Sequence, residues 1–312
     1  MQPLIILTGP TAVGKTALSL SLARRLNGEI ISADSVQVYR GMDIGSAKIR
    51  PEEMQGIPHH LIDVLDPDEP FDVVRFQQMA RASIREIASR GKIPIVTGGT
   101  GFYIQALLKD VSFEEEDDSA DYRILLERMA AAGEGAVLYE KLRQVDPVSA
   151  ESIHPNNHKR VIRALEFYEK NGYPISQHNA AQRERFSPYR YCYFVLTMPR
   201  AELYARIDRR VDEMMEDGLL DEVRTLRERG YGPDLSSMHA IGYRELQAYL
   251  DGACPLEEAV RLIRRNTRHF AKRQMTWLRR ERDTIILDKS DYGSEEEILE
   301  EMLEHCRKSH IV

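Results

Sequence analysis

Residues Gly9–Thr16 read GPTAVGKT, directly behind the apolar run LIIL at Leu4–Leu7 and at the head of the stretch KTALSLSLARRL. The spacing is that of the phosphate-cradling loop G-x-x-x-x-G-K-[ST]. Its glycines let the backbone curl until several N–H groups point at one anion. Lys15 adds a mobile positive charge, and the Thr16 hydroxyl can ligate Mg²⁺. The stretch behind it has helical spacing, so the positive end of the helix dipole faces the same anion. Strand, loop and helix together predict a parallel α/β core. Its phosphate site comprises Gly9, Pro10, Thr11, Ala12, Val13, Gly14, Lys15 and Thr16. The loop does not say which phosphorylated ligand it holds.

A chain of 312 residues is too long for one small core. No uninterrupted apolar stretch is long enough to span a bilayer. The opening MQPLIILTGPT runs straight into the first strand without a basic leader, so no signal peptide is expected. Cys192, Cys254 and Cys306 are scattered, which excludes a disulfide framework and a structural zinc and fits a cytoplasmic protein. The net charge of −7 does not suggest a polyanion binder. The charge is uneven, however. Acid gathers in EEEDD at Glu114–Asp118 and in EEEILEE near the C-terminus, whereas between Arg261 and Arg282 the only acidic residue is Glu281. Local patches, not totals, decide polyanion binding.

Short apolar runs alternate with amphipathic stretches through the first third, the βαβ pattern of a parallel sheet. LIIL, EIIS, IPIV and a possible HHLIDVL read as strands, and FDVVRFQQMARASIREIASRG as a helix stopped at Gly91. Beyond Asp110 helical segments follow without a clear strand, with Gly172 terminating HPNNHKRVIRALEFYEKN and a polar return at QHNAAQRERFSPYR. YCYFVLTM then reads as a strand rejoining the sheet, TIIL as a late strand, and the C-terminus as a polar surface helix. The expected fold class is α/β, a P-loop NTPase-like parallel sheet core flanked by helices. Residues 1–111 and 186–312 form the core and 112–185 an all-helical insertion domain.

Asp34 stands at the end of EIIS, where a carboxylate faces the crevice at the C-terminal edge of such a sheet. A helix cap or an outer Mg²⁺ ligand explains it as well as catalysis does. The loop ADSVQVYRGMDIGSAK carries Gln37, Tyr39, Arg40 and Lys48, polarity that favours a binding role. The turn TGGTGFY lacks the aspartate that many phosphate-loop nucleotidases place at that strand's end, and Thr100 offers a hydroxyl there. Arg206 and Arg210 are one helical turn apart and can clamp a diphosphate, or else pair with Asp208, Asp212 and Glu213 on a solvated face. In the long segment from Pro255, Arg261, Arg264, Arg265, Arg268 and Lys272 form a basic stripe continued by Arg273, Arg279 and Arg280. With almost no counter-charge in sequence, the stripe reads as a phosphate-backbone tracker. Trp277 and Phe270 read as core, with base stacking the alternative for Trp277. Arg123, Arg160 and Arg163 give the insertion basic positions.

GPTAVGKT, ISADSVQVYRGMDIGSAK, PHHLIDVLDP, GGTGFY, HPNNHKRVIRALE, RIDRRVDEM, AIGYRE and NTRHFAKRQMTWLRR run in an order that resembles the tRNA dimethylallyltransferases (tRNA isopentenyltransferases), and the resemblance covers most of the chain. The mild departures are Phe102 for Leu, Asn157 for Asp, Arg265 for Gln, Phe270 for Tyr and Leu278 for Phe. The absence of a zinc-finger tail indicates the bacterial type. The resemblance implies transfer of a dimethylallyl group from its diphosphate to N6 of the adenine 3′ of the anticodon. Asp34 would accept the N6 proton, Thr100 would hydrogen-bond near the reacting centre, and Arg206 with Mg²⁺ on Thr16 would stabilise the diphosphate. Asp34, Ser35, Val36, Gln37 and Gly101 would line the adenine pocket. Arg123, Arg160, Arg163, Lys272, Arg273 and Arg280 would bind tRNA. No feature indicates a protein or membrane partner, and a monomer is expected. From the residues alone, a small-molecule or nucleotide kinase and a nucleotide-gated RNA-binding protein stay open.

Overall fold

Leu4 and Ile6 pack into one core, and Ile5 and Leu7 into another, which is why LIIL carries no polar residue. They belong to β1 (Gln2–Thr8), in a computed structural model that describes residues 1–112 and 120–312. The acidic run Glu114–Asp118 lies outside the described residues. The chain divides into two compact units, Met1–Leu108 with Pro188–Val312, and Lys109–Ser187.

The first unit continues with α1 (Lys15–Leu26), β2 (Gly28–Ser32), β3 (His59–His60), α2 (Val73–Ser89), β4 (Ile93–Gly98) and α3 (Gly101–Leu108). The second contains α4 (Ala120–Ala131), α5 (Gly135–Val145), α6 (Pro147–Ser152), α7 (His158–Asn171) and α8 (Ile175–Arg183). The first unit resumes with β5 (Tyr189–Thr197), α9 (Arg200–Glu216), α10 (Leu219–Glu228), α11 (Tyr243–Leu250), α12 (Leu256–Leu278), β6 (Ile285–Asp288) and α13 (Glu295–Lys308).

Six strands form one wholly parallel sheet in the order β3-β2-β4-β1-β5-β6. The register sets Thr8 beside Gly98 and Val195, Ser32 beside Thr97, and Thr197 beside Asp288. The loops that follow β1, β2, β4 and β6 therefore leave from one edge, where open α/β sheets bind ligands. α1 and α13 cover one face of the sheet, and α2 and α3 the other.

Three elements differ from the sequence reading. HHLIDVL is a strand only at His59–His60, because the chain then crosses to a single bridge between Tyr39 and Leu65. The C-terminal helix is not merely polar surface. Ile298, Leu299, Met302, Leu303 and Cys306 are buried on the face it turns to α1 and β5. Each such side chain contributes roughly 1.5–3 kcal/mol by leaving water. In the second unit the expected polar return contains α8. Asp146, fully buried, accepts both the Ser176 amide at 3.0 Å and the Ser176 hydroxyl at 2.6 Å, so α8 is docked by polar contacts that an apolar pattern cannot reveal. The unit's own core gathers Leu126, Leu138, Leu142, Val161 and Leu165. Among the described residues no helix is long and apolar enough to cross a membrane.

Candidate active site

The phosphate loop closes on itself before it meets any ligand. Lys15 Nζ donates to the carbonyls of Gly9 and Pro10, both at 2.9 Å. Gly14, at φ +103°, turns the chain into α1 through a conformation that a side chain rarely tolerates. The Val13 side chain is buried in the core beneath, so the loop is anchored by packing as well as by its backbone. Thr16 is exposed in the first turn of α1.

α9 brings two of the predicted arginines to this loop. Arg206 Nε donates to the Ala12 carbonyl at 2.9 Å, and an Arg210 amino group lies 3.4 Å from the Thr11 hydroxyl. The bland reading holds instead for their neighbours, since Arg209 pairs with Glu213 at 3.5 Å in solvent. Burial and then the Arg210 charge lower the Lys15 pKa to about 8, with the Asp34 carboxylate pulling the other way. Lys15, Arg206, Arg210 and the Asp34 carboxylate thus lie within electrostatic reach of one another beside the phosphate loop.

Asp34 follows β2, and its Oδ1 accepts the amides of Val36 at 2.8 Å and Gln37 at 3.2 Å. No helix begins directly after Asp34, so it is not a helix cap: one carboxylate oxygen closes an Asx turn within the loop. Ser35 is exposed and Val36 half-buried. The Gln37 side chain is engaged within its own loop, accepting from the Ser32 hydroxyl at 3.0 Å and donating toward the Ser46 and Ala47 carbonyls. The polarity of this loop serves its folding first. Lys48 Nζ binds the Tyr39 carbonyl at 2.7 Å and the carboxylates of Asp43 and Asp63 at 2.5 Å. Glu222 of α10 accepts the amides of Asp43, Ile44 and Gly45 at 3.0, 2.7 and 3.2 Å.

The turn after β4 sits against the end of β2. The Thr100 amide donates to the Ala33 carbonyl at 3.3 Å, which places Thr100 beside Asp34 in space. Gly101 packs under Trp277, whose ring carbon would stand 2.3 Å from any Cβ there. Trp277 is half-buried, packed against the edge of the core rather than within it, and its indole N–H is buried without a partner.

Gln274 is the residue that the sequence reading left without a role. Its Oε1 accepts the Thr11 amide at 2.9 Å and its Nε2 donates to the Gly99 carbonyl at 3.0 Å, so one α12 side chain ties the phosphate loop to the β4 turn. A Cβ at Gly99 would lie 2.1 Å from that Nε2. Its position was legible: Gln274 shares the buried face of α12 with Ile263, Ala271 and Leu278. A lone carboxamide on such a face needs polar partners.

The basic stripe of α12 is less bare than its sequence. Arg264 and Arg268 pair with Asp212 and Asp208 of α9, and Arg261 with Glu258 of its own helix. Lys272, Arg273 and Arg280 remain exposed, with Arg273 over the Phe270 ring at 5.8 Å. In the second unit Arg160 and Arg163 are exposed on α7, and Arg123 donates to Glu127 at 3.2 Å.

The sequence model of the family described as IPP transferase matches residues 37–281. The chain belongs to the IPP transferase family. It is 58% identical over 313 residues to the tRNA dimethylallyltransferase of Lachnoclostridium phytofermentans, covering 100% of both chains. It is 51% identical to that of Symbiobacterium thermophilum, over 98% of this chain and 95% of the relative. Among solved structures it resembles the full-length tRNA isopentenylpyrophosphate transferase of Bacillus halodurans, with TM-score 0.75, 45% identity, and coverage of 99% of this chain and 98% of that one. It also resembles a eukaryotic dimethylallyltransferase captured acting on tRNA, with TM-score 0.81, 31% identity, and coverage of 96% and 78%.

Gly99→Ala is expected to expel the Gln274 carboxamide and to destabilise the fold by about 2 kcal/mol, because the Thr11 amide and Gly99 carbonyl lose their partner. Gln274→Ala removes the same bonds. Chemical denaturation of the double variant should show a cost well below the sum of the singles, whereas additive costs would contradict the bridge.

Proposed function

We propose that this protein transfers the dimethylallyl group of dimethylallyl diphosphate to N6 of the adenine immediately 3′ of the anticodon in tRNA, releasing diphosphate. The observation that carries the reading is the placement of Asp34 beside a phosphate loop clamped by arginines, with one carboxylate oxygen fixed by two amides. A small-molecule kinase leaves the exposed Lys272 and Arg273 of α12, and Arg280 just beyond it, unexplained, and the β4 turn offers no carboxylate of its own.

The adenine amino group is a weak nucleophile because its lone pair is delocalised into the ring. Asp34 Oδ2, left over by the amides, accepts the N6 proton as the new N–C bond forms. The C–O bond to diphosphate breaks and its electron pair leaves with the diphosphate. Lys15, the loop amides of the α1 N-terminus, Arg206 and Arg210 meet that charge. The Thr100 hydroxyl, held against the Ala33 carbonyl through its backbone, is positioned to orient the reacting groups.

The donor set suits Mg²⁺. Thr16 supplies one hard oxygen, and among the described residues no group of three or more His, Cys, Asp or Glu could hold a metal without substrate. Mg²⁺ favours that arrangement, one or two protein oxygens with diphosphate oxygens and water completing the shell. When bound it neutralises charge on the leaving diphosphate.

The adenine must leave its stack, at a cost of a few kcal/mol, to enter the pocket proposed for Asp34, Ser35, Val36, Gln37 and Gly101. Lys272, Arg273 and Arg280, with Arg123, Arg160 and Arg163, are proposed to grip the RNA backbone. The phosphate loop, Asp34 and Arg206 all belong to one unit of one chain, which supports a monomer as the acting form.

Asp34→Asn keeps a residue that can close the Asx turn and removes the base. It is expected to lower single-turnover transfer by about 10²–10⁴ while tRNA and dimethylallyl diphosphate bind as before. Full activity in that variant would remove Asp34 from the chemistry. The lowered Lys15 pKa gives a second test. Diphosphate binding needs the charged amine, so affinity for dimethylallyl diphosphate should fall as pH rises through about 8. Lys15→Arg, charged throughout, should abolish that fall in calorimetric titrations.

A further inference from the structure

Lys289 lies outside every motif that points to the phosphate site, yet the fold delivers it to that site's mouth. It follows β6 directly, in the short 3-10 turn Lys289–Asp291. Asp288 sets this turn, since its Oδ1 accepts the Ser290 amide at 3.0 Å and its Oδ2 the Thr197 hydroxyl at 2.9 Å. The position that a Cβ on Gly14 would occupy lies 3.2 Å from Lys289 Nζ and 3.7 Å from an Arg206 amino group. The same point is 3.8 Å from Glu295 Oε1. Lys289 and Glu295 pair at 2.6 Å, with the lysine side chain only 17% exposed and the carboxylate 51% exposed.

We propose that Lys289 is an additional diphosphate-binding residue and that Glu295 is the counter-ion it exchanges for diphosphate. The inference rests on the reading of the phosphate loop as a diphosphate site. A carboxylate alone at the rim of an anion site repels the ligand. Paired with Lys289, it holds a largely buried ammonium beside Gly14 and Arg206, and because the carboxylate itself is half in solvent the pair adds little energy of its own. A diphosphate carries more charge than a carboxylate and offers more acceptor oxygens. It therefore takes the ammonium over, and Glu295 swings into solvent. Lys289 then meets the rim of the ligand while Lys15 meets it from within the loop.

The test is calorimetric binding of inorganic diphosphate with Mg²⁺ to the full chain and to three variants, each checked for an unchanged melting temperature. Lys289→Met keeps the aliphatic stem and is expected to weaken binding about tenfold. Glu295→Gln frees the lysine and is expected to tighten binding about threefold. Opposite directions are the signature, because a purely structural pair would move both variants the same way. Equal affinities for Lys289→Met and the unaltered protein, with Lys15→Ala still strongly weakened, would overturn this inference alone. Weakening by both Lys289→Met and Glu295→Gln would overturn it too, reducing the pair to a structural contact. Binding that Lys15→Ala leaves unchanged would overturn the phosphate-loop reading and this inference with it.

Discussion

The carboxamide of Gln274 is the contact on which the site's geometry depends. A buried polar side chain is costly unless its hydrogen bonds are made, and Gln274 makes them only if the Thr11 amide and the Gly99 carbonyl sit on either side of it. That requirement fixes the spacing between the phosphate loop after β1 and the turn after β4, and it leaves no room for a side chain at Gly99. The β4 turn in turn binds the Ala33 carbonyl and so sets the residue before Asp34. Phosphate loop and carboxylate are thus held in register by one helix, whose outer face carries Lys272 and Arg273.

Electrostatic opposition organises the rest of the site. Lys15, Arg206 and Arg210 crowd one loop, where carbonyls of the loop itself accept from Lys15 and Arg206 while burial disfavours the Lys15 charge. Such crowding is unfavourable until a polyanion enters. The neighbouring arginines show the contrast. Arg264 and Arg268 face α9 and are neutralised by Asp212 and Asp208, which joins the two helices that carry the arginine clamp and the Gln274 bridge.

Much of this was legible in the residues. EIIS, IPIV and YCYFVLTM are short apolar runs that fit buried parallel strands, and all lie in the sheet. The phosphate loop leads from the first strand into α1, and TIIL forms the edge strand β6 with Ile286 exposed. The i, i+4 spacing of Arg206 and Arg210 left two readings open, because spacing gives a face and not what the face meets. The stripe on α12 looked unopposed because its counter-charges come from α9, more than 50 residues away in sequence for both Asp212 and Asp208. α8 was missed because, among the described residues, Ile175 is the one apolar residue it packs on the unit's core and its docking otherwise rests on Asp146 hydrogen bonds. Lys289 was invisible for a different reason. Only the parallel pairing of β6 with β5 carries the end of TIIL to the edge where the phosphate loop stands.

The most direct test of the account offers the purified protein Mg²⁺ and dimethylallyl diphosphate labelled in its allyl carbon, with unmodified tRNA or ATP as the second substrate. The account predicts label at N6 of the adenine 3′ of the anticodon, with diphosphate released in equal amount and ATP untouched. ATP consumed without RNA, and no label in tRNA, would contradict it and make the shared fold a scaffold for phosphoryl transfer instead.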